Sequence, residues 1–216
     1  EQAAKNSQDA VSLIQTADGA LNETHAVLQR MRELTVQAAS DTNNTAERTA
    51  IGGELEQLTA TIQDIADTTQ FNGQKLLDAS AGTAGVLTIQ SGANSAETLD
   101  LDLNNVDLTA TLTALGTVDV ADATTSAAAL TVLDTAIQTV SDGRGYTGAV
   151  QNRLDYTINN LNASAENTQA AESRVRDVDM AKEMMNLTKN NILTQASQAM
   201  LSQANQAPQA VLQLLR

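Results

Sequence analysis

The sequence predicts a mainly α protein: an elongated antiparallel bundle of long helices with coiled-coil seams and a small β-hairpin region. Three observations carry this. From Ala3 to Ser40 there is no proline and a single glycine, Gly19, while Ala10, Leu13, Ala17, Ala20, Thr24, Val27, Met31, Leu34 and Ala38 recur at spacings of three and four, the seam of a left-handed supercoil. A helix of that length would run about 55 Å at 1.5 Å per residue, too long for the middle of a compact globule. The 216 residues include no Trp, two Tyr and one Phe, so a core must be built from thin helix-on-helix seams without bulky anchors.

In the first helix, about residues 3–40, Ile14, Leu21 and Leu28 lie seven apart and widen the apolar stripe. That width predicts contact with more than one neighbour. The helix opens in mid-pattern with no cap, which suggests a piece of a longer protein. Ser40 to Thr45 are turn and cap formers, and Asn44 followed by Glu47 reads as a capping box. Ile51, Leu55, Leu58, Ile62 and Ile65 then define a second helix, about 45–69, antiparallel to the first because the connection is short.

Residues 70–126 break the pattern. Phe71-Asn72-Gly73 is a turn signal, and Leu87-Thr88-Ile89 and Leu99 to Leu103 alternate with period two around Gly92 to Ser95, predicting a β-hairpin. Residues 104–126 have weak periodicity and read as a small surface loop or a helical turn. Leu130, Leu133, Ile137, Val140, Val150, Leu154, Ile158, Leu161 and Ala165 mark a third helix, about 128–172, in which Gly143 and Gly145 predict a kink or break. A terminal segment, 173–216, forms a separate helix. It carries Val178, Ala181, Met185, Ile192, Ala196 and Ala199 on one stripe, with Met184, Leu187, Leu193, Met200 and Leu201 off it. Such a helix, with its tail of Val211, Leu212, Leu214 and Leu215 after Pro208, needs a covering surface.

Composition narrows function. A formal charge of −14 repels phosphate backbones and anionic bilayers, so neither nucleic acid nor membrane is expected as a partner. The absence of cysteine excludes disulfides and thiolate chemistry. No apolar run approaches a membrane span, and the first residues do not read as the charged-then-apolar pattern of a signal peptide. Metalloprotease, phosphate-loop and nucleophile-elbow motifs are missing, so no enzyme activity and no cofactor are expected. His25 stands alone and reads as a solvated helix residue, not a metal ligand. Asp100 and Asp102 share a strand face that would suit calcium but equally a half-exposed acidic strand. Met180, Met184, Met185 and Met200 could line an adaptable groove or simply pack. Arg30, Arg32 and Glu33 beside Met31 and Leu34 are either a solvated face or a recognition patch.

Leu28-Gln29-Arg30-Met31-Arg32-Glu33-Leu34-Thr35-Val36-Gln37-Ala38-Ala39 resembles bacterial flagellin. So do Gln70 to Gly73, Gly148 to Leu154, and Gln203 to Arg216, in the family's order, and Glu172 to Met184 is most similar to flagellins of Bacillus-like organisms. The resemblance implies a structural filament subunit for motility that polymerises with other flagellin subunits. It also implies export through the flagellar export gate to an extracellular filament, after a transient cytoplasmic stage with an export chaperone. Filament cap and junction proteins are further implied partners, and a hook-filament junction protein is the alternative identity. By the same resemblance, the family's amino-terminal inner-core helix is expected to be missing from this sequence and the carboxy-terminal one to be present. By resemblance, Met185, Ile192, Leu193, Ala196, Met200, Leu201, Val211, Leu214 and Leu215 serve inner-core assembly and chaperone binding. Gln29, Arg30, Leu34, Gln37, Ile51 and Glu54 match positions that serve filament packing and recognition by vertebrate Toll-like receptor 5.

Overall fold

The structure, a computed structural model, describes residues 2–176 and 180–214, with side-chain surroundings described to residue 204. Its contacts fall into two units, Glu1–Ala165 and Glu166–Arg216. The architecture is mainly α, with two small antiparallel strand pairs.

In the first unit, α1 (Gln2–Ala38) buries Ile14, Leu21 and Leu28 almost completely, flanked by Leu13, Ala17, Met31 and Leu34. Ala20 and Val27, two members of the predicted seam, are only half-buried. The centre of the buried face therefore lies on the seven-residue ridge. Small polar residues also enter this seam. Ser7, Thr24 and Thr35 are fully buried, and each hydroxyl donates to the carbonyl four residues back, at 2.8–2.9 Å. That bond satisfies the hydroxyl without a partner from another helix.

The connection to α2 (Thr45–Thr68) is built as the sequence predicts. The Asn44 side chain accepts from the Glu47 amide while the Glu47 carboxylate accepts from the Asn44 amide. Arg48 closes the other helix end. Its guanidinium donates to the carbonyls of Ala38 at 3.0 Å and Ser40 at 3.1 Å, covering at Ala38 an acceptor that the end of α1 leaves open.

The first strand pair, β1 (Gln70–Phe71) and β2 (Gln74–Lys75), turns on Asn72 and Gly73, with φ of 51° and 80°. Positive φ at both central residues is what a tight hairpin turn requires. The second pair, β3 (Val86–Gln90) and β4 (Thr98–Asp102), sets Leu87 against Leu101 and Ile89 against Leu99. Leu99 and Leu101 are buried while Asp100 faces out, so alternation predicted this hairpin correctly. Two contacts hold it: the Asn6 amide donates to Gln90 O, and the Asp102 N–H donates to the Tyr146 hydroxyl at 2.8 Å.

Residues 103–122 are not a surface loop. A 3-10 helix (Leu103–Val106) and α3 (Thr109–Leu115) carry Leu103, Val106, Leu108 and Leu115 into the core, as does Val120 beyond them. The helical-turn alternative is nearer the truth. Elements of four and seven residues are too short to establish a period, which is why the stretch looked featureless.

Helix α4 (Ala123–Arg176) starts earlier than predicted, where Asp122 and Thr125 cap it reciprocally: the Thr125 amide donates to the Asp122 carboxylate at 2.8 Å. These donors, the Thr125 amide first, hold the Asp122 carboxyl below its ordinary value against the opposing effect of burial. The expected break at Gly143 and Gly145 is absent, and α4 runs through both. Gly143 is buried where the 3-10 helix crosses; a Cβ there would lie 2.9 Å from the carbonyl oxygen of Asn105. The residue is a close-approach glycine, not a hinge. Gly145 is exposed and faces open space.

In the second unit, the end of α4 is followed by α5 (Met180–Leu214), and every described side chain from 166 to 204 is exposed. Val178 lies outside the described residues.

These two glycines yield opposite expectations. Gly143→Ala should lower stability by about 1–3 kcal/mol through overpacking, whereas Gly145→Ala should raise it by about 0.5–1 kcal/mol through helix propensity. Urea unfolding followed by circular dichroism measures both, and equal midpoints for the two variants would contradict the packing assigned to Gly143.

Candidate assembly and recognition surfaces

The first surface lies where α1 and α2 run side by side. Arg30 donates to Glu54 from Nη2 at 2.9 Å and from Nε at 3.2 Å, and to Glu33 at 3.4 Å. The hydrogen bond that the guanidinium donates to Glu54 is the main reason it is held above its ordinary value, with the charge of Glu54 next. Around it stand Gln29 and Gln37, both exposed. Gln29, Arg30, Gln37 and Glu54 thus form one polar, solvent-facing strip.

The other two predicted members are placed differently. Leu34 is 3% exposed and Ile51 7%, both in the hydrophobic core. They lie beneath the strip, where they fix the spacing of the two helices and so the reach of Arg30 to Glu54. The predicted sextet is therefore four surface residues on a two-residue footing. Val36, half exposed on α1, is the apolar surface residue of this region that the sequence reading did not single out.

Sequence reasoning also missed how α1 meets α4. Arg32 pairs with Asp134 at 2.6 Å, and Asp18 accepts from Arg144 at 3.4 Å and from the Thr147 hydroxyl at 3.3 Å. The partners are more than a hundred residues apart, and no local spacing announces such pairs. His25 sits between these anchors along α1. It is half-buried, not solvated, and its Nδ1 is enclosed without a hydrogen-bond partner among the described residues, while Nε2 lies 3.3 Å from the Gln29 amide. The Asp102 carboxylate is engaged by the backbone and side chain of Asn104 at the start of the 3-10 helix. Among the described residues, no three His, Asp or Glu side chains gather as a metal site would need.

The second surface is α5. Met184, Met185, Leu187, Ile192, Leu193, Met200 and Leu201 are between 51% and 72% exposed, and Ala196 is exposed with them. Met184, Met185, Ile192 and Leu193 form a shallow apolar furrow with Thr188 and Lys189 along the helix. Covering one such side chain contributes about 1.5–3 kcal/mol. The side chains of Val211 and Leu214, and all of Leu215, lie outside the described residues. No described helix is long and apolar enough to cross a membrane.

Comparison with known proteins places this geometry in context. Residues 1–82 match the family of the bacterial flagellin N-terminal helical region, and residues 130–215 match that of the bacterial flagellin C-terminal helical region. The chain is 57% identical to a flagellin of Halalkalibacterium halodurans, over all of this chain and 78% of the relative. It is 49% identical to a flagellin of Bacillus subtilis, again over the whole chain and 81% of the relative. The crystal structure of Bacillus cereus flagellin superposes with a TM-score of 0.64 at 38% identity, covering 78% of this chain and 94% of that one.

The two arginines of the α1–α2 junction should behave differently. Arg48, with only 14% of its side chain exposed, bonds to the Ala38 carbonyl at the end of α1, and Arg48→Ala should cost about 1.5–3 kcal/mol. Arg30→Ala, at an exposed pair, should leave the thermal midpoint near wild type. Calorimetry of both variants decides, and a midpoint drop in Arg30→Ala as large as that of Arg48→Ala would refute the assignment.

Proposed function

The chain belongs to the bacterial flagellin family, and from that membership we propose that it is a structural subunit of the flagellar filament, not an enzyme. The observation that carries this reading is the uncovered apolar surface of α5, in a unit with no buried side chain among its described residues. A lone helix in water gains little from its own hydrogen bonds. Burial against neighbouring subunits supplies what it lacks, so the helix faces become assembly surfaces. Before assembly, the apolar side chains of Met185, Ile192, Leu193, Ala196, Met200 and Leu201 are covered by an export chaperone. The subunit then leaves through the flagellar export gate and is added to an extracellular filament that also contacts cap and junction proteins.

The strip of Gln29, Arg30, Gln37 and Glu54 supports a second role, recognition of the free monomer by Toll-like receptor 5. Its arginine is held on the surface by Glu54 and presents donors that a partner's carboxylates can share. Leu34 and Ile51 act only through the spacing they impose. Because the same strip packs subunits, the assembled filament is recognised poorly.

Three outcomes are expected. Seeded growth on filaments of a related flagellin, followed by light scattering, should occur with this chain in the full length of its relatives; failure to grow would remove the filament reading. Ile192→Asp should weaken chaperone binding at least about tenfold, since a carboxylate replaces a buried anchor, and unchanged calorimetric affinity would count against a covered α5. Arg30→Ala should weaken activation of receptor-bearing cells without altering thermal stability, and undiminished signalling would remove the receptor role.

A further inference from the structure

We propose that the groove between the tip of the β3–β4 hairpin and α4 receives a second copy of this chain; the proposal rests on the filament reading and names one of its contact surfaces. The groove holds about 840 Å³, with Ser91 and Glu97 on the hairpin side and Asn152, Arg153, Tyr156 and Asn160 on α4. Chemistry and shape both point to a protein partner.

The chain has three aromatic residues. Phe71 and Tyr146 pack against the core, and the Tyr146 hydroxyl is bonded to the Asp102 amide. Tyr156, by contrast, is 77% exposed, and its hydroxyl has no hydrogen-bond partner among the described residues. An aromatic ring gains most from burial, and tyrosine beside arginine is the composition that dominates binding energy at interface centres.

Arg153 supplies that arginine. Arg30, Arg32, Arg48 and Arg144 are each paired within the first unit, whereas Arg153 makes no ion pair among the described residues. In a chain with 26 acidic and 12 basic residues, an uncommitted guanidinium faces a predominantly acidic surface whenever it meets another copy. That charge complementarity selects the occupant as a copy of the same chain.

The opposite wall is already ordered. The Glu97 carboxylate accepts from the Asn94 amide N–H at 3.0 Å and from its side-chain amide at 2.7 Å, which holds its carboxyl below the ordinary value. The Gln90 amide ties together the carbonyls of Gly92 and Asn94. At Gly92 there is no room for a Cβ beside Glu97. A hairpin tip held this way loses little conformational entropy when a neighbour docks.

The test places a photo-crosslinking benzophenone side chain at Tyr156 in filaments grown from the chain in the full length of its relatives. A chain-to-chain adduct is expected; filaments that yield none, or only intrachain adducts, overturn the contact. In parallel, Tyr156→Ala and Arg153→Glu should keep the wild-type thermal midpoint yet slow seeded growth about tenfold or more, as loss of an interface hot spot does. Normal growth of both variants overturns the contact alone. No growth by the wild-type chain overturns the filament reading and this contact with it.

Discussion

The ridge of Ile14, Leu21 and Leu28 on α1 is the constraint on which the first unit depends. Its three side chains are at most 1% exposed. A single partner helix would leave one flank of such a ridge wet, so α2, the β3–β4 hairpin and α4 are all drawn to the same helix. The contacts that orient them are polar and sit at the margins: Arg48 on the end of α1, Asn6 on the hairpin, and the Arg32 and Asp18 pairs toward α4. Apolar burial supplies most of the stabilisation, and these bonds select one register among the packings it would allow.

The second unit shows what happens without such a ridge. Its described side chains are as apolar as those of α1 but have nothing over them. Stability and function thus divide between the units. The first holds the hydrophobic core beneath polar surfaces, while the described side chains of the second are all exposed. A filament subunit suits this division, since the described apolar side chains of α5 are open to a neighbour.

The polar strip on α1 and α2 shows how closely surface and core are interleaved. Arg30 and Glu54 face solvent and meet across α1 and α2, while Leu34 and Ile51 of the same two helices are buried in the core. A sequence motif therefore mixes surface residues with residues of the core beneath them. Substitutions at the two kinds of position have different physical meanings even when they have similar effects.

What the sequence determined by itself is local. Helical periodicity, the Asn44–Glu47 capping box, the Asn72-Gly73 turn and the alternation of β3 and β4 are short-range patterns set by backbone sterics and nearest neighbours. The family, too, was legible in ordered motifs. Only the tertiary structure decided the rest, because the determining neighbours are distant in the chain. It placed residues 103–122 in the core, made Gly143 a site of close approach to Asn105, enclosed His25 and joined Arg32 to Asp134. It also sorted a six-residue motif into surface and interior. Glycine, histidine or leucine at a given position is compatible with several environments, and the element that packs across it decides which one it occupies.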